Sequence, residues 1–240
     1  MSIDLEKQDM GMKTSGAVQE TSSRLMPVVF NWMAAGLGLT GAVALLAAHS
    51  PLGLALVQNP MLLIGLMIAE VVMVIVLSAR YRTMSAAAAT GCFLAYSALN
   101  GVTLSIVLLA YTGASVASTF FITAGMFGAM ALYGTMTKRD LTGLGSFCMM
   151  GLWGVILAMV VNFFMHSARI DWMITMAGII VFVGLTAYDT QKIRVMGEQI
   201  GADADEAAFR KVAIMGALAL YLDFINLFLH LLRLLGNQRD

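Results

Sequence analysis

The stretch ALALYLDFINLFLHLLRLL, Ala217 to Leu235, is apolar enough to cross a bilayer and yet carries an acid, Asp223, in its interior. At about 100° per residue, Asp223, Asn226, His230 and Arg233 fall within an arc of roughly 80°. Leu, Phe and Ile side chains cover the rest, so the run reads as a helix with one wet face. An ionised carboxylate at membrane depth is expensive, which makes an acid there a functional candidate by default. A second acid, Asp189, closes the preceding apolar run in GLTAYDTQKI, Gly184 to Ile193, with Thr186 and Thr190 on either side of it.

Working outward, the 240 residues are 60% hydrophobic and 12% charged, with a mean hydropathy of +0.84. That balance places the chain among polytopic membrane proteins, with the lipid bilayer as its first partner. The formal net charge is zero, which argues against nucleic acid as a partner, since phosphate binding needs a basic face. Cys92 and Cys148 each lie inside an apolar run and read as small core residues, not as a disulfide or a metal pair.

Seven apolar segments are long enough to span: Val28 to Ala48, Met61 to Leu77, Ala86 to Tyr111, Val116 to Met136, Leu144 to Met165, Trp172 to Tyr188 or slightly beyond, and Ala213 to Leu235. The expected fold is an all-α polytopic bundle, because only helices satisfy every backbone group in hydrocarbon without closing a barrel. Residues 1–27 are polar and of mixed charge and are expected to form a disordered cytoplasmic tail; 28–236 form the membrane domain and 237–240 a short C-terminal tail. Pro27 and Pro60 stand at helix entrances and Pro51 in the first loop, so none interrupts a span.

Lysine and arginine set the orientation. Lys7, Lys13, Arg24, Arg80, Arg82, Lys138, Arg139, Lys192, Arg194, Arg210 and Lys211 fall on one side, and Arg169, Arg233 and Arg239 on the other. The N-terminus is therefore expected in the cytoplasm and, if the seventh segment spans instead of re-entering, the C-terminus on the other side of the membrane. Val28 to Tyr111 and Val116 to Tyr188 each hold three spans of opposite starting direction, the arrangement of an inverted repeat.

The intramembrane ionisable residues are few: Glu70, Asp189, Asp223 and His230. His230 has no second His or Cys at ligand spacing and reads as a locally bonded helix-end residue. Glu70, midway along the second span, reads as a structural or pathway-lining group. Two carboxylates held close in low dielectric cannot both stay ionised without cost, so they titrate as a unit. With one shared proton the pair can lock the sixth and seventh spans together; without it, they leave a transient site for a divalent cation. Arg80 or Arg82 could stabilise the locked form. A ruler raises one difficulty: Asp223 lies ~18 Å from Lys211, whereas Asp189 lies ~8 Å from Arg194. The acids meet only if the last helix starts outside the bilayer, with Phe209 to Ile214 partly in the cytoplasm, or if it is broken; the first is expected.

AYDTQKI, Ala187 to Ile193, followed by GALALYLDFINLFLHLLRLLG, Gly216 to Gly236, resembles the Bax inhibitor family of transmembrane Bax-inhibitor-motif proteins, in its bacterial branch. The resemblance implies two three-helix layers around a central seventh helix, and a pH-sensitive calcium leak of the inner membrane. It implies Asp189 and Asp223 as the gating and transient calcium-binding pair, with Arg80 or Arg82 completing the latch. Thr186, Thr190, Asn226, His230 and Glu70 are candidates for lining the ion path. No cofactor is expected beyond calcium as a permeant or weakly bound ion. Some bacterial members are instead associated with a membrane-bound AAA protease, which supplies a second reading: a regulator that transports nothing. The acidic connection through Glu198, Asp203, Asp205 and Glu206 departs from the family's pattern. A third reading is an intramembrane aspartyl protease, since presenilin-like enzymes also carry Tyr-Asp in a sixth span and Asp in a seventh. Here LYLDF replaces their GxGD and no Pro-Ala-Leu follows, so a non-enzymatic role is expected.

Overall fold

The computed structural model describes residues 2–81, 83–199 and 205–239, with side chains from Arg24 onward. It contains eight helices: α1 (Ser2–Ala48), α2 (Pro51–Gln58), α3 (Pro60–Arg80), α4 (Ala86–Ala110), α5 (Gly113–Met136), α6 (Thr142–Met165), α7 (Ala168–Gln199) and α8 (Glu206–Leu235). Seven are long and apolar enough to cross a membrane, α1 through its portion Arg24–Ala48. The eighth, α2, occupies the expected first loop. Pro51 starts it, and the Ser50 hydroxyl accepts from Leu52 N–H at 3.3 Å as its cap.

Helix ends differ from the hydropathy boundaries for one reason. Backbone hydrogen bonding continues where side chains turn polar, so α7 runs on past Tyr188 to Gln199 and α8 begins at Glu206, before Ala213. α8 is unbroken from there to Leu235, as the ruler argument requires. α1 likewise reaches back to Ser2, so residues expected as a tail continue the first span as helix, and Pro27 lies near the start of its apolar portion.

The packing repeats. α1 packs on α4 while α3, between them in sequence, leans on α4; α5 and α6 both pack on α7. Each triplet thus joins its first helix to its third and leaves its second outermost. α8 packs against α7, α1, α5 and α4. Its apolar window is 67% buried, against 6% for α3 and 17% for α6. Small residues permit these approaches. A Cβ at Gly134 of α5 would collide with the Ala187 carbonyl of α7, and one at Gly178 of α7 with the His230 ring of α8.

α8 runs the full height of the bundle. At one end Arg233 pairs with Asp171 at the start of α7, 3.2 Å apart. There the tail bonds to the α4–α5 connection: Thr112 N–H donates to Asn237 O (3.1 Å) and Arg239 N–H to Ala110 O (2.9 Å). The opposite end is marked by Gln191 of α7, which accepts from Leu141 N–H (2.8 Å) and donates to Arg139 O (2.7 Å) in the α5–α6 connection.

Candidate functional site

A cavity of about 560 Å³ lies between α3 and α6, the two outermost helices, with α7 and α8 as its floor. Its polar lining includes Glu70 of α3, Tyr96 of α4, Asp189 of α7, and Asp223, Asn226 and His230 of α8. The remaining walls are mostly aliphatic and Met side chains, among them Val74, Ile75, Leu152 and Ile156. Five of the expected site residues therefore share one space.

The two acids are offset along the helices. α7 and α8 run antiparallel, with Gly178 against His230 and Ile193 within 3.2 Å of a Cβ built on Gly216. Interpolating between those pairs sets Asp189 level with about residue 220, so Asp223 lies one turn, ~5 Å, further along. They are near enough for their charges to repel. No hydrogen bond joins the two carboxyls among the described residues. Asp223 is only 4% exposed, and its Oδ2 is buried without a hydrogen-bond partner. A buried carboxylate oxygen left unbonded is costly, and Asp223 is among the residues that line the space.

Around them, Asn226 donates through Nδ2 to Leu222 O (2.8 Å), which holds its amide along α8. The His230 ring stacks on Phe182 with centroids 5.8 Å apart, and its Nδ1 is buried without a partner. Among the described residues the positive charge acting on Asp189 is that of Lys192, one turn on; Lys192 Nζ also lies 5.7 Å from the centroid of the Tyr188 ring.

The remaining candidates lie elsewhere. Thr186 and Thr190 are fully buried, and their hydroxyls donate back to Phe182 O (2.7 Å) and Thr186 O (2.6 Å) within α7. They bond their own helix instead of the cavity. Arg80, the last residue of α3, is exposed and absent from the cavity lining. Arg82 lies outside the described residues, as does Asp203 of the acidic connection.

Sequence reading missed the partners of Glu70. The Thr103 hydroxyl donates to Glu70 Oε1, Asn100 stands beside it and Asn100 Nδ2 reaches Tyr96 Oη at 3.5 Å. Tyr96 meets Tyr221 edge-on, 5.8 Å between centroids. Tyr221 Oη is 2.7 Å from Thr40 Oγ1, which donates to Ser97 O at 2.8 Å. A polar line thus passes from the cavity through α4 and α8 to α1. The signal was present: Ser97, Asn100 and Thr103 recur every three residues along α4 with Tyr96 one turn before Asn100, a polar stripe like that of α8.

Comparison with known proteins gives a consistent picture. The family model described as "Inhibitor of apoptosis-promoting Bax1" matches residues 22–240. The "Inner membrane protein YbhL" of Escherichia coli (strain K12) is 55% identical over 215 residues, covering 89% of this chain and 92% of that protein. An uncharacterized protein of Deinococcus radiodurans is 44% identical over 215 residues, covering 90% of each chain. One of Borreliella burgdorferi is 39% identical over 241 residues, covering 99% of each.

Proposed function

Because the chain belongs to the Bax inhibitor family, whose model spans nearly all of it, we propose that it is a pH-sensitive, calcium-permeable leak of the bacterial inner membrane. The observation that carries this reading is the meeting of Asp189 and Asp223 in one cavity, with a buried Asp223 oxygen that has no partner. The inner-membrane placement follows the name of the Escherichia coli relative, and the lysine and arginine pattern supports an N-terminus in the cytoplasm and, with α8 spanning, its end in the periplasm.

The mechanism rests on charge. A proton shared between the two acids draws α7 and α8 together and removes the attraction for a cation. Loss of that proton leaves two negative oxygens about a turn apart, whose repulsion a divalent ion offsets. Few protein ligands surround the site, so binding is weak and the ion passes on. The titratable groups facing the pair are Glu70 of α3, Tyr96 of α4, Cys148 of α6, Lys192 of α7 and His230 of α8. Lys192 stands beside Asp189, and the cation that the resemblance assigns to the latch is Arg80 or Arg82. The protein acts here without enzymatic chemistry.

Purified protein in calcium-loaded vesicles tests this. Flux is expected to rise with pH, and Asp223→Asn to flatten that rise. Flux indifferent to both pH and Asp223 would remove the proposal. Absence of flux together with co-purification of a membrane-bound AAA protease would favour the regulator, and cleavage of a helical substrate that needs both acids would favour the protease.

A further inference from the structure

The cavity has a side entrance. Val71 and Ile75 of α3 are each 59% exposed, and Ile156 and Met159 of α6 each 39%, although all four line it. The gap between the outermost helices therefore opens toward the lipid-facing surface. Lining residues on α3 run from Glu70 to Ser78, and on α6 from Met149 to Met159, about 12 and 15 Å of helix. That is a slot with apolar walls, of the size that takes a small ligand. Its floor is acidic, through Asp189 and Asp223, with Glu70 on the α3 wall, and no Lys or Arg lines it among the described residues.

We propose that this slot binds an amphipathic amine: a protonated primary amine on a hydrocarbon chain, entering between α3 and α6 from the lipid side. The chain would lie between Val74 and Leu152 while the ammonium reaches the floor. There it meets the carboxyl group of Asp223, which lines the floor and has one oxygen without a hydrogen-bond partner, and the side-chain carbonyl oxygen of Asn226, whose Nδ2 is already committed to Leu222 O. An ammonium carries three donors and no acceptor, which suits acceptors presented one turn apart. A small cation would satisfy the floor and leave the walls unused; a neutral chain would fill the walls and leave the carboxylate unpaired. The inference rests on the cavity and is independent of ion flux.

The test is thermal unfolding in nanodiscs of phosphatidylcholine at neutral pH, with dodecylammonium, dodecanol and methylammonium as probes. A ligand of the folded state raises the midpoint by mass action. Dodecylammonium is expected to raise it saturably, and about tenfold more of either other probe to be needed for the same shift. Asp223→Asn should move the dodecylammonium response about tenfold to higher concentration and leave the dodecanol response alone. If that variant fails to fold, Leu152→Trp, which fills the slot without touching the floor, should abolish the shift. An equal response to dodecanol, an equal response to methylammonium, no response to dodecylammonium, or a full response in Leu152→Trp would each overturn the proposal. Because no flux is read, the leak can fail in vesicles while the amine site stands, and the reverse.

Discussion

The contacts of α7 and the gap between α3 and α6 are built from the same apolar vocabulary and end in opposite ways. α7 is met by glycines: Gly134 of α5 on Ala187, Gly145 of α6 on Tyr188, and its own Gly178 under His230. Backbones touch, and side chains interlock above them. α3 and α6 face each other with Val71, Ile75, Met149 and Ile156 across a space that neither closes. In lipid no hydrophobic drive pulls helices together, so contact must come from close packing or polar bonds. Where small residues occur in register the helices meet, and where branched and flexible ones occur they stay apart. The acids lie at the boundary between the two regimes.

The close-packed side is most sensitive at Gly134. Gly134→Val would push a branched side chain into the Ala187 backbone, which cannot swing away, at a cost of about 3 kcal/mol or more; a large fall in unfolding temperature checks it. Next, Thr40→Val strands the Tyr221 hydroxyl in the core at about 1–3 kcal/mol, measurable by denaturation in detergent. On the open side, Leu152→Trp should change stability by less than about 1 kcal/mol, because it grows into free space. The same variant should still reduce calcium flux, which distinguishes a gap with a role from a packing fault. The smallest effect belongs to the ion pair at the rim: Asp171→Asn, with both partners nearly half exposed, should cost under ~1 kcal/mol and nothing at high salt.

Much of this was legible beforehand. Hydropathy found all seven spans, because hydrocarbon thickness imposes their length, and it found the two acids, because few ionisable residues interrupt the runs. α2 was not legible, since eight residues between two spans have no length signature of their own and only Ser50 and Pro51 marked the start. The orientation of Thr186 and Thr190 was not legible, for a geometric reason. Proximity to Asp189 in sequence does not fix which way a hydroxyl turns, and a threonine in a helix can bond the carbonyl four residues back. The α3–α6 gap could not be read at all, because it depends on which helices fail to touch. That follows from the triplet packing as a whole and from no single residue.

The bonds between residues 237–239 and the α4–α5 connection have a mechanical consequence. That connection is the joint between the two triplets, and the tail fastens it with Thr112 N–H on Asn237 O, Arg239 N–H on Ala110 O and Asn237 N–H on the Ser115 hydroxyl. One rim of the bundle thus serves as a fulcrum. If the halves rock, displacement grows toward the far rim, where Gln191 and Asp189 sit. Ending the chain at Gly236 would free the fulcrum, and spin labels on α3 and α6 should then report a broader spread of separations than in the intact protein.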